Sequence, residues 1–512
     1  MTKTKRIQIL CLLGAVTLLL SGCWTEAPVE SANGLLGDQE PADQQEEVIL
    51  PAAFTLPYDP DQTLDPVTCA DGMQQVAGSL IYEGLFRLDR QLEPQPWLCQ
   101  SYTYDAASLT YTFTLRSGVT FSDGSPLTAA DAAATLRRAK SSQRYSARLD
   151  HVAAVSAGDG VVIVTLSRPD SSLPALLDIP IVKSGTEESL TPVGTGPYYF
   201  TTDEAGACLA SHSGWWRGES RPAERIALSA ARDREAILYQ FSSHEVQLIT
   251  ADLIGTEPIT ATGNISYEDA DTTVLQFLGF NTARAPFQDS AARRALGLGI
   301  NRETLVSAVL SGHARAAQFP VSPVSPLYPA ELESLYSYDD FAAAMEAAGL
   351  NTGRTRTVTL LVNQENTFKV SAAEHIAQAL SDFDLQIQVE ALPWEEYAAA
   401  LAAGNFDLYY GEVRLPANWD LSALVGTGGS LNYGGWADPQ TEQLLAACAA
   451  AEDRAAALSD LCAYLQQQAP ILPLCFKSSS VLYQTGAVSG LTPTAAEPFY
   501  DLPSCQIHLR QP

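Results

Sequence analysis

The sequence predicts an α/β protein whose sheet mixes parallel and antiparallel strands. Three observations carry that expectation. Between residues 357 and 410 the pattern runs strand, helix, strand, helix, strand, an order that implies parallel pairing through right-handed crossovers. Elsewhere, LTYTFTLR at 109–116 alternates apolar and polar residues, the mark of a half-buried strand. Hydrophobic residues make up 46% of the 512, so a large buried core is feasible. The length suggests roughly three domains.

The elements follow in chain order. Lys3, Lys5 and Arg6 open the chain, an apolar stretch fills 7–20, and Ser21, Gly22 and Cys23 come next. A positive start, a short apolar run and small residues at a cut site make a secretory signal, expected over 1–22. The run is too short for a confident transmembrane helix. Residues 24–47 hold seven acids and no base among scattered Pro, Gly, Ser and Gln, so 23–47 is expected to be a flexible linker. Hydrophobic patterning begins at Val48, and no later stretch is long and apolar enough to span a bilayer.

After the strand at 109–116 come turns at Ser117-Gly118 and Ser122-Asp123-Gly124. Thr128 and Asp131 have the capping-box spacing and open a helix through Lys140. Residues 161–166 are β-branched and strand-like. Gly194-Thr195-Gly196-Pro197 is glycine-rich but lacks the Lys-Ser/Thr of a phosphate-binding loop, and Pro197 removes a backbone donor. It reads as a tight turn into a strand that starts at Tyr198 and Tyr199. Strands at 357–362, 385–391 and 406–410 then alternate with helices at 371–380 and 394–403, the last closed by Gly404.

Charge and motif content exclude several functions. The chain carries 30 Lys+Arg against 59 Asp+Glu, a net charge of −29. Nucleic acid demands basic surface, so it is not an expected partner, and an anionic lipid surface would repel the chain. Nine cysteines are present; besides Cys11 and Cys23 they are Cys69, Cys99, Cys208, Cys448, Cys462, Cys475 and Cys505. None forms a CxxC pair or stands at zinc-site spacing from a histidine. Disulfides and buried free thiols both stay open for these seven. The six histidines form no HExxH, and no GxSxG elbow occurs. No catalytic residue, resident metal or cofactor is expected.

Three long stretches resemble the peptide/nickel-type solute-binding proteins of ABC importers. They are IYEGLFRLDRQLEPQPWLCQSYTYDAASLTYTFTLRSGVTFSDGSPLTAADAAATL at 81–136, PVGTGPYYF at 192–200 and LGFNTARAPFQDSAARRALGLGINRETLVSAVLSGHA at 278–314. They fall in the family's order and place the likeness from about Val48 onward. Independently, Leu20-Ser21-Gly22-Cys23 resembles the bacterial lipobox. That likeness implies that Cys23 is diacylated and begins the mature protein; two acyl chains anchor stably where one does not.

The resemblance implies a two-lobed periplasmic-binding-protein fold of the class II type, with an extra inserted domain and a ligand cleft between the lobes. It places lobe 1 at 48–85, 191–278 and 471–512, the inserted domain at 86–190 and lobe 2 at 279–470. It further implies a monomeric binding protein, not an enzyme, on the extracytoplasmic face of the membrane. Lobe closure would trap a small solute, short peptides being the leading class, and the closed form would dock on permease subunits. A peptide-sensing receptor without transport and a binder of a metal chelate are the alternatives.

The segment FDLYYGEVRLPANWDLSALVGTGGSLNYGGW at 406–436 corresponds to the family's cleft lining on lobe 2. Peptide-binding members often place here an aspartate that pairs with the ligand's amino terminus, and Asp420 is the nearest one. An arginine, Arg414, stands close to where an acid is expected, and its fork suits a carboxylate. Trp419 is a candidate for stacking on the ligand. Tyr433 and Trp436 lie in the same neighbourhood as candidate lining residues. The segment holds no histidine, so a bare metal ion is not the expected ligand.

Overall fold

Two strands, Ile265–Phe280 and Ile471–Gln484, run antiparallel through the middle of a seven-stranded sheet. The computed structural model of the protein describes residues 50–69, 72–259, 263–381 and 383–510. The leader, Cys23 and the expected linker lie outside the described residues. Across the sheet the order is Leu248–Ala251, Ile471–Gln484, Ile265–Phe280, Leu408–Arg414, Arg356–Asn363 and Leu385–Leu392; Ala314–Ala316 also pairs with Ile471–Gln484.

The two long strands change neighbours along their length. At one end 480–483 pair with Leu248–Ala251, next to a core of Phe54, Leu56, Ile226, Leu248 and Val481. That core also packs the four-stranded sheet Thr55–Tyr58, Arg225–Ala230, Gly206–Ser211 and Tyr198–Asp203. At the other end 274–280 pair with Leu408–Arg414, over a core that includes Leu278, Phe280, Leu360, Ile376 and Leu408. Between the ends the register shifts twice, between Asp271 and Leu275 and between Gln276 and Phe277. Such shifts bend a strand and sharpen its twist. The change of neighbours therefore falls inside the strands, near 271–275 and 476–478.

The crossover region forms as its pattern predicts. Arg356–Asn363 pairs in parallel with Leu385–Leu392 and with Leu408 and Tyr409. The intervening helices are Thr367–Ala379 and Trp394–Ala403, and Gly404 closes the second with φ 67°. The first helix starts at Thr367 rather than 371, because the Asn366 side chain caps it by accepting the Lys369 N–H at 3.0 Å. The last strand runs on to Arg414 rather than stopping at 410, because its ladder against 274–280 continues that far.

A second four-stranded sheet is fully antiparallel, in the order Cys99–Asp105, Thr110–Leu115, Val161–Leu166, Val152–Ala157. Helix Ala129–Ser141 covers it with Ala132, Ala133 and Leu136 in a core shared with Tyr111, Phe113 and Val164. At its start the Asp131 carboxylate accepts the Thr128 N–H at 3.0 Å and the Thr128 hydroxyl at 2.5 Å.

The turn at 194–197 is architectural. A Cβ on Gly194 would stand 2.1 Å from the Ile81 carbonyl oxygen, and the Gly196 N–H donates to that oxygen at 2.8 Å. The seven described cysteines are all buried, and none forms a disulfide with another described residue.

Candidate ligand cleft

Arg414 ends its strand opposite Val274, beside the register shifts of the long ladder. A cavity of about 1500 Å³ opens at this point. One wall is Thr272, Thr273 and residues 413–418; a second comes from 142–145, Ala147 and Arg148; a third combines 66–69 with 494–497. The bends in the long strands thus set the mouth of the cleft.

Most charges on the walls are already paired. Arg148 binds Asp178, and Arg168 reaches Asp150 at 3.1 Å and Asp420 at 3.5 Å. Two guanidinium groups differ. Arg144 donates to the Cys69 carbonyl at 2.5 Å and has no carboxylate within 4 Å among the described residues. Arg414 is exposed to the cavity and has neither a carboxylate partner nor a side-chain hydrogen bond among them. The protein packed around it nevertheless strips it of water. That desolvation pulls its pKa below the ordinary arginine value; Glu412 opposes the shift and Arg144 adds to it.

Glu412 does not neutralise Arg414, because its charge is committed elsewhere. It accepts from Gln276 at 2.9 Å and pairs with Lys369 at 3.2 Å and Lys477 at 3.3 Å. Burial works against its charge, but the two lysines outweigh it and hold the carboxyl below its usual value. Lys477, 5% exposed, also binds Asp252, so one ammonium ties together the elements on both sides of the ladder's bend.

Of the residues singled out from sequence, Arg414 and Asp420 lie on the cavity wall, and Trp419, Tyr433 and Trp436 do not. Trp419 is 1% exposed; its φ of 55° turns the ring inward, where it meets Phe476 edge-on at 6.0 Å. Tyr433 packs edge-on against Tyr409 at 6.1 Å. Trp436 donates its Nε1–H to Thr441 at 3.1 Å and lies against Arg293. Trp419 thus fills a core, and Tyr433 and Trp436 pack against neighbouring residues away from the cavity wall. Sequence reasoning missed Arg144 and Glu497, which no local motif marks.

The walls also touch each other. Asn418 donates to Asp170 at 3.1 Å, the Ser171 N–H to the Ala449 carbonyl at 2.9 Å, and the Ser171 hydroxyl to the Ala451 carbonyl at 2.7 Å. Asp170 also faces His151 Nε2 at 3.0 Å and accepts the Ser172 N–H at 2.8 Å. Burial opposes its charge, but these partners prevail and lower its pKa. Among the described residues, no three His, Cys, Asp or Glu side chains gather as a metal site, and no helix is long and apolar enough to cross a membrane.

Residues 93–432 match the bacterial extracellular solute-binding proteins, family 5. The glutathione-binding protein GsiB of Escherichia coli K12 is 28% identical over 357 residues, covering 66% of this chain and 69% of that protein. Two solved structures share the fold over most of their length. The ABC transporter substrate-binding protein CtaP of Listeria monocytogenes superposes with a TM-score of 0.71 at 17% identity, over 90% of this chain and 100% of that one. The oligopeptide-binding protein AppA of Bacillus subtilis, in complex with a nonapeptide, gives 0.60 at 18% identity over the same shares.

Proposed function

The chain belongs to the bacterial extracellular solute-binding proteins of family 5, and from that membership we propose that it captures a short peptide by its free carboxylate and delivers it to the permease of an ABC importer. Proteins of this family are binding proteins of such importers and not enzymes. The observation that carries the peptide reading is the Arg414 guanidinium on the cavity wall, unpaired among the described residues. A planar fork without a protein partner suits a bidentate carboxylate. Partial desolvation strengthens that pairing. The cavity of about 1500 Å³ exceeds the roughly 300–1,000 Å³ of ordinary small-molecule pockets, which favours several residues over one. The relatives GsiB, a glutathione-binding protein, and AppA, an oligopeptide-binding protein, point the same way.

In this reading Asp420 stands near the ligand but is engaged by Arg168, and the three aromatics contribute through packing. The protein works as a monomer at the outer face of the membrane, held there through lipid on Cys23. Native mass spectrometry of the chain from Trp24 onward, purified without refolding, tests the ligand. Bound masses that fragment into amino-acid ladders are expected; a single non-peptide mass, or one with a metal isotope pattern, would overturn the peptide. For the anchor, Cys23→Ala is expected in the salt-washed soluble fraction, and retention on the membrane refutes it.

A further inference from the structure

One carboxylate on the cleft wall is short of donors. Asp178 faces Arg148, Asp150 and Asp420 share Arg168, and Glu412 takes two lysines. Glu497 has only Arg87, at 3.7 Å, and no hydrogen bond among the described residues reaches its carboxylate. That guanidinium is already occupied. It donates to the Tyr500 carbonyl at 2.9 Å and lies between the rings of Trp97 and Tyr500, 3.9 and 3.8 Å from their centroids. The backbone that presents Glu497 is pinned: its N–H donates to the Thr494 hydroxyl at 3.2 Å, and its carbonyl accepts the Thr494 N–H at 3.1 Å. Its side chain is 29% exposed, on the cavity wall.

We propose that Glu497 receives the protonated amine of the bound peptide, in the same cavity where Arg414 receives its carboxylate. The assignment rests on the peptide reading above and deepens it. A cleft with an unpaired guanidinium and an undersupplied carboxylate complements a zwitterion. Ligand and wall then supply each other's missing partners, which neither Arg87 nor Asp420 does.

The electrostatics of the site agree. Burial pushes the Glu497 carboxyl up to about 7, Arg87 drawing it back and Glu83 adding to the rise. Glu83 is a buried carboxylate held by the indoles of Trp97, Trp215 and Trp216 and the hydroxyl of Thr195. The other charges on the cavity wall are Arg144, Arg414 and the paired groups named above. With no ammonium beside it, the Glu497 carboxyl is partly protonated near neutral pH. When an ammonium arrives, the Glu497 proton leaves to solvent and a carboxylate–ammonium pair remains. Binding therefore strengthens as pH rises through about 7. It weakens again where a peptide α-amine, with an ordinary pKa of about 7.7–8.0, loses its own proton.

The test uses a mixture of synthetic peptides of two to five residues, each present with a free and with an acetylated amino terminus. The wild-type chain, Glu497→Gln and Arg414→Ala are incubated with the mixture, and retained peptides are quantified by mass spectrometry. Wild type is expected to favour free-amine forms by about 10- to 100-fold, the usual scale for one partner of a desolvated charge pair. Glu497→Gln is expected to erase that preference while still favouring a free over an amidated carboxyl terminus; Arg414→Ala should do the reverse. A Glu497→Gln chain that melts no lower than wild type and keeps the amine preference overturns the assignment, as does a wild type that holds acetylated peptides equally well. Retention of no peptide at all by wild type is a different failure, which removes the peptide reading itself.

Discussion

Asp170 and Asn418 stand 248 positions apart in the chain and meet in a buried hydrogen bond of 3.1 Å. One follows the last strand of the antiparallel sheet; the other follows Arg414. With Ser171 on the carbonyls of Ala449 and Ala451, the pair straps the segment after Val161–Leu166 to Asn418 and to the carbonyls of 449 and 451. Asn418→Ala leaves Asp170 its contacts to His151 and Ser172, so the fold should persist. The closed arrangement loses about 1–2 kcal/mol. Ligand affinity should drop about 5- to 30-fold, and the radius of gyration from X-ray scattering should rise. Unchanged affinity and scattering would mean the strap does not bias closure.

Arg414→Ala is expected to weaken peptide binding by about 10- to 100-fold in calorimetry. The melting temperature should hold, because the side chain makes no hydrogen bond or ion pair with any described residue. Unchanged affinity would remove Arg414 from the site; a large fall in melting temperature would make its role structural.

Glu497 gives a pH signature of stability as well as of binding. Its carboxyl titrates near 7 in the fold against an ordinary value of 4.5. A folded pKa above the unfolded one means the native state keeps the proton longer, so stability falls as pH rises from 4.5 to about 7 and then levels. Glu497→Gln mimics the protonated form. The variant should therefore melt higher than wild type at pH 8 and close to it at pH 5. An equal difference at both pH values would show that the carboxyl is not perturbed.

Gly194→Ala places a methyl 2.1 Å from the Ile81 carbonyl oxygen and 2.7 Å from the Tyr82 ring. Backbone oxygen cannot swing aside, so the turn must shift. A loss of about 1–3 kcal/mol is expected, read as a lower melting temperature. No change would mean that the 194–197 turn yields more easily than its packing implies.

What was legible in the sequence is what depends on near neighbours. The strand–helix alternation from 357 onward, the Thr128–Asp131 cap and the Gly404 stop each rest on residues within a few positions of one another. The Asn366 cap was just as local but was masked by the apolar pattern that starts after it. Arg414 was found because it lies in a segment with a recognisable family pattern. Arg144, Glu497 and the Asp170–Asn418 pair are brought to the cleft only by folding over long chain separations. Trp419 misled for the opposite reason: an aromatic in a polar loop suggests a lining residue, yet its left-handed backbone buries the ring.

The long strand Ile471–Gln484 lies between Leu248–Ala251 and Ile265–Phe280, at the centre of its sheet, yet it follows both in the chain by some two hundred residues. During synthesis and export both flanking strands therefore emerge well before the one that joins them. Until it arrives, Ile265–Phe280 shows a bare row of peptide groups along that edge, the kind of edge on which chains aggregate. Truncation before residue 471 would leave both of its partner strands without their common neighbour.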